Sequence, residues 1–238
     1  MQSPTGQPSI EIFGITIMEP MSLVTNLFIS SICLFAFLKL RSLNKKGASH
    51  KYLRSFFLLM AIATFLGGTL GHAFQYIFNP SWQLISWLLA MVAVFLMERV
   101  AIIQATPFMN NTALRFLKIV GLIVLTASSL LSIYTVDFLF VMLQSVYSLL
   151  FIALPLHGVV YFRTQNIGSG IISLNIVFLI LVAFIYVKEF SLGLWFNHLD
   201  IAHTILVLSM YLFYIGARRF QVITEASLNI SVKKPPLY

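Results

Sequence analysis

Residues 167–187 read IGSGIISLNIVFLILVAFIYV, a run of 21 residues without Asp, Glu, Lys, Arg or His. At 1.5 Å per residue a helix of that length covers roughly 30 Å, the thickness of a bilayer's hydrocarbon core. Six further apolar runs lie to either side, at 21–40, 52–78, 82–104, 113–134, 138–162 and 198–216. Short polar or turn-forming connections separate them, among them Asn79-Pro80 and Thr106-Pro107. Composition points the same way: of 238 residues, 59% are hydrophobic and 9% charged, against about 25% charged in soluble domains. The sequence therefore predicts an all-α, multi-pass, seven-helix membrane bundle. Residues 1–20 form an external segment, 21–219 the transmembrane domain and 220–238 a cytoplasmic tail, with no room for a separate soluble domain. Pro155 predicts a kink in the fifth helix.

Charge sets the expected orientation. Fourteen of the 15 Lys and Arg flank the first, third and fifth connections or follow the seventh helix; the exception is Lys188. Cytoplasmic loops carry an excess of basic residues, which places the N-terminus outside and the C-terminus in the cytoplasm of a cell (inner) membrane. The net charge of +8 thus reads as a topology signal, with membrane lipids as partners and no nucleic acid. The single cysteine, Cys33, sits in an apolar run and excludes a disulfide framework, a redox pair or a thiolate zinc cluster. The first twenty residues lack the basic start of a signal peptide.

Ionisable groups inside a bilayer are expensive, so they mark candidate sites. His72 lies about five residues before the expected outer end of helix 2, roughly 7–8 Å deep, and His203 about seven residues into helix 7, roughly 10 Å deep. Along helix 7, Asn197, Asp200, His203 and Thr204 gather on one side at 100° per residue, while His198 points elsewhere. Glu19 and Asn26 open helix 1 at the same level. Imidazoles and carboxylates are the zinc ligands left to a chain without usable cysteines, and three of them plus a water make a hydrolytic centre. The bland alternative is a set of hydrogen bonds that bridges helices 2 and 7.

With the histidine late in helix 2, the acidic-to-histidine cluster opening helix 7 and the acidic residue starting helix 1, the chain resembles the CREST superfamily. That group includes alkaline ceramidases, progestin and adiponectin receptors and haemolysin III-like proteins. The resemblance implies zinc held by one helix-2 histidine and two helix-7 histidines, with amide hydrolysis of ceramides in the enzymes. Three positions depart from the pattern. Gly68 replaces the serine four residues before His72, Gln83 replaces the aspartate about eleven after it, and Leu199 replaces the first helix-7 histidine. Asp200 is the substitute ligand, so the resemblance implies a His72, Asp200 and His203 zinc site with Glu19 as general acid or base. The string Phe196–His203, FNHLDIAH, resembles an uncharacterised bacterial branch of the superfamily.

The remaining polar residues have plainer readings. His157 is expected to pack near the inner end of helix 5, His50 belongs to the basic loop, and His198 caps helix 7 or serves as an alternative ligand. Glu98-Arg99 reads as an interfacial ion pair, and Gly67-x-x-x-Gly71 as a close-packing motif that positions His72. Trp82 and Trp195 read as aromatic-belt residues. Two functions stay open. One is a zinc-dependent hydrolase of a lipid amide or ester working in the outer leaflet. The other is a non-catalytic lipid sensor or helper subunit whose polar cluster only fixes helix packing. A transporter ranks third, since no broken-helix pair or internal repeat is evident.

Overall fold

The computed structural model describes residues 6–221. Most of the expected tail and the first five residues lie outside that range. Seven helices are long and apolar enough to cross a membrane: α1 Pro20–Ser42, α2 Ala48–Ala73, α3 Pro80–Phe108, α4 Asn111–Thr135, α5 Leu139–Thr164, α6 Ile167–Val187 and α7 His198–Arg219. The chain is thus an all-α, integral, multi-pass membrane protein. Before α1 stands a small antiparallel hairpin, β1 Ile10–Ile12 with β2 Ile15–Ile17. Its turn, Phe13-Gly14, has positive φ at both residues (51° and 76°), the conformation a two-residue hairpin needs. The bundle has a hairpin end, where α1 and α7 begin, and an opposite, basic end.

The helices pack in a ring, α1 against α2 and α7, α2 against α3, α3 against α5, and α6 against both α5 and α7. Half of the apolar window of α3 is buried, against 11% for α4, which lies on the outside against α3 and α5. Phe57, Phe56 and Phe213 interlock edge to face at 5.0 and 5.8 Å in the core. Many large apolar side chains point outward instead, Phe116, Leu122 and Ile123 on α4 and Leu174 on α6 among them. An apolar surface of this extent belongs against lipid.

Two helices are interrupted by π-helical turns. In α2 the α-helical part, Ala48–Leu66, passes into Gly67–Ala73, and in α5 Tyr147–Ala153 separates Leu139–Val146 from Leu154–Thr164. Pro155 stands two residues past the end of the second turn. Having no N–H, it cannot continue the ladder to the preceding turn, and the π segment is where the helix absorbs that break. The first π turn also ends α2 at Ala73, five residues short of the expected Phe78. The Phe74 N–H closes the last bond, to the Thr69 carbonyl at 2.9 Å, and the chain turns before Asn79-Pro80.

Glu98 corrects one expectation. Its ion pair with Arg99 is present, but the carboxylate is fully buried rather than interfacial: Oε2 accepts the Ser148 hydroxyl at 2.7 Å, which in turn accepts Gln144 Nε2 at 3.1 Å. Arg99 Nη2 stands 3.9 Å from Oε1 and donates instead to the Lys118 carbonyl at 2.6 Å. A Cβ at Gly121 would overlap the Glu98 carboxylate, so glycine is what lets α4 pass there. His50 is also buried, within the first turn of α2. Its ring and that of fully buried His157 stand against Phe220, at 6.1 and 5.9 Å.

Candidate functional site

At the hairpin end, α1, α2 and α7 bring together the residues singled out in the sequence. Glu19 caps the start of α1 ahead of Pro20 and is 2% exposed. Its Oε2 lies 2.6 Å from His72 Nδ1. His72 sits inside the π turn and faces α1 and α7. The His72 and His203 rings meet edge to face with centroids 5.9 Å apart, as their matched depths predict. Gln83 lies over the same turn, with Nε2 donating to the Gly71 carbonyl at 3.3 Å.

At Gly68 α2 runs close against α1. A Cβ there would stand 2.8 Å from Asn26 Cβ, so Asn26 occupies the room a serine side chain at this position would need. Asn26 Nδ2 donates to the Ser22 carbonyl at 2.9 Å and lies 3.2 Å from His203 Nδ1. An amide nitrogen only donates. His203 Nδ1 is thus placed to accept from it. Thr25 Oγ1, whose hydroxyl donates to the Met21 carbonyl at 3.0 Å, lies 3.2 Å from the same nitrogen.

Asp200 faces the other way. Oδ1 accepts the Ser22 hydroxyl at 2.7 Å, and Oδ2 accepts Gln7 Nε2 at 2.8 Å and the Asn197 N–H at 3.0 Å. Asn197 Oδ1 accepts the Leu199 and Asp200 N–H groups at 2.9 and 3.3 Å, which completes a capping box at the start of α7. Gln7 is 2% exposed; it also donates to the Trp195 carbonyl and accepts the Met21 N–H. Thr204 turns away, exposed, with its hydroxyl on the Asp200 carbonyl. His198 rests on Tyr186, ring centroids 6.0 Å apart.

Of the expected His72, Asp200 and His203 triad, the structure brings the two histidines together and turns Asp200 to its helix cap. Among the described residues, no three His, Cys, Asp or Glu side chains are placed to hold a metal ion. The Asp200 oxygens are occupied by three donors. Gln7, Ser22 and Thr25 complete the cluster and were missed. Ser22, Thr25 and Asn26 continue the buried stripe Ile29, Cys33, Ala36 and Leu40 at helical spacing, a signal that picks out the two hydroxyl residues. Gln7 lies in the non-helical N-terminal segment and has no such period.

Fold and site define a seven-helix integral membrane protein with a buried polar cluster at one end. The chain belongs to a family of unknown function, DUF6962, whose model matches residues 21–222. The match covers all seven helices but begins after Gln7 and Glu19. No curated protein and no solved structure matches the chain.

Proposed function

We propose that this protein is a non-catalytic membrane protein, of the lipid-sensor or helper-subunit kind, in which the polar cluster locks α1, α2 and α7 together. The observation that carries this reading is Asp200, whose carboxylate is held by donors from the N-terminal segment, from α1 and from its own helix cap. A buried charge satisfied in this way fixes helix position, and removing one partner leaves the others unpaired in a dry environment. Orientation follows the basic residues: among the described Lys and Arg only Lys188 lies at the hairpin end, which supports an external hairpin and cytoplasmic Arg218. The test is Asp200→Asn: the amide turns an N–H toward groups that already donate, so the full chain in detergent loses about 1–3 kcal/mol of stability, and metal has no part in the loss. Unchanged stability contradicts the reading.

A second reading, a zinc-dependent hydrolase of a lipid amide or ester akin to the CREST superfamily, is favoured by the approach of His72 and His203 and by Glu19 against His72. It requires Asp200 to leave its cap.

A further inference from the structure

At the basic end, two cavities share a wall. One, of about 350 Å³, is lined by Lys45, Gln165, Ile167, Arg218, Arg219 and Gln221. The other, of about 510 Å³, is lined by Tyr211, Tyr214, Ile215 and the same two arginines. Arg218 and Arg219 thus line both cavities, the second of which is otherwise walled by aromatic and aliphatic residues. Lys45 adds a third positive charge in a fixed place. Its Nζ donates to the carbonyls of Arg218 and Phe220 at 2.9 and 3.2 Å, which ties the loop between α1 and α2 over the end of α7. Among the described residues no acidic side chain lines either cavity, and neither Arg218 nor Arg219 pairs with a carboxylate.

The spacing along α7 gives the shape of a ligand. Residues 211, 214, 215, 218 and 219 recur at helical intervals and so share one side of the helix. Tyr211 is 46% exposed and lies about 10–12 Å from the arginines along the axis, in the direction of the apolar zone. A small inorganic anion uses only the arginines. A molecule with an anionic head and a hydrocarbon chain uses both chambers.

We propose that these cavities form a binding site for an anionic phospholipid, its phosphate between Arg218 and Arg219 and an acyl chain along Tyr211, Tyr214 and Ile215. Guanidinium forks match phosphate oxygens two at a time, and the unpaired positive charge selects a headgroup of net negative charge over a zwitterionic one. The site is independent of the polar cluster at the other end and stands whether or not that cluster is catalytic.

The test uses the full chain purified in a neutral detergent. Lipid binding is followed by intact-complex mass spectrometry and by the thermal unfolding midpoint, with phosphatidylglycerol, phosphatidylcholine and inorganic phosphate as probes. The expected result is retention of phosphatidylglycerol and a raised midpoint, with neither effect from phosphatidylcholine or inorganic phosphate at the same concentration. R218Q/R219Q should weaken phosphatidylglycerol binding about tenfold or more for the charge-assisted bonds lost, and Tyr211→Ala should weaken it less. R218K/R219K, which keeps the charge without the fork, should recover part of the affinity and shows that any loss is not misfolding. Arg41→Gln, outside both cavities, should bind as wild type. Equal retention of phosphatidylglycerol and phosphatidylcholine, an equal response to inorganic phosphate, or undiminished binding in R218Q/R219Q would overturn the proposal.

Discussion

The Ser22 hydroxyl donates to Asp200 Oδ1 at 2.7 Å, joining the first turns of α1 and α7 across 178 residues of chain. With Gln7 on the other oxygen, this bond makes the start of α7 a fixed point for both α1 and the segment before it. Ser22→Ala removes a donor from a buried carboxylate and should lower stability by about 1–3 kcal/mol. Gln7→Ala should act similarly, and the two losses should not add, because both act on one carboxylate. Thermal unfolding of the single and double variants in detergent checks this; strict additivity would show two unconnected contacts.

Gly68 tests how α1 and α2 meet. Gly68→Ser should destabilise by about 1–3 kcal/mol through overpacking against Asn26 and should disturb the His203 contacts that Asn26 makes. Combining it with Asn26→Ala, which keeps the Cβ but removes the amide, should recover only part of the loss. A Gly68→Ser chain as stable as wild type would mean that the helices are farther apart than 2.8 Å between those positions implies.

The buried carboxylate of α3 gives an ordered pair of variants. Glu98→Gln keeps an oxygen for the Ser148 hydroxyl and should be tolerated, whereas Gly121→Ala forces a methyl into that carboxylate and should cost more. Unfolding midpoints rank them; the reverse order contradicts the packing of α4 on α3.

Topology is checked by labelling intact cells. The native cysteine, Cys33, is buried, so a cysteine introduced at exposed Phe13 or Lys46 reports alone. Phe13→Cys should react with an impermeant maleimide and Lys46→Cys only after permeabilisation. Reaction at Lys46 beside protection at Phe13 inverts the orientation.

Much of this was legible in the sequence. Hydrophobic runs fixed seven helices, and α6 begins and ends where its run does, because a span in lipid leaves only length and apolarity to read. The meeting of His72 with His203 followed from their matched depths, given that helices 2 and 7 lie near each other. What depth could not give was azimuth after a π turn, since i→i+5 bonding leaves no mark in a hydrophobic pattern, or the direction of the Asp200 side chain. Asn197-x-x-Asp200 matches a capping box by spacing as well as it matches a ligand pair, and the box prevailed because orphan N–H groups at a helix start have no other partner nearby. The hairpin escaped notice for a related reason. Ile10 to Ile17 is too short for a period, and its turn places Phe13, rarely found at positive φ, beside Gly14.

The most direct test of the central claim is the metal content of wild-type protein purified without chelator, measured together with its unfolding midpoint before and after chelation. A cluster that locks α1, α2 and α7 by hydrogen bonds predicts far less than one equivalent of metal per chain and a midpoint that chelator leaves alone, while Asp200→Asn lowers it. One zinc per chain, lost in both His72→Ala and His203→Ala and retained in His157→Ala, would contradict that account and establish a metal centre.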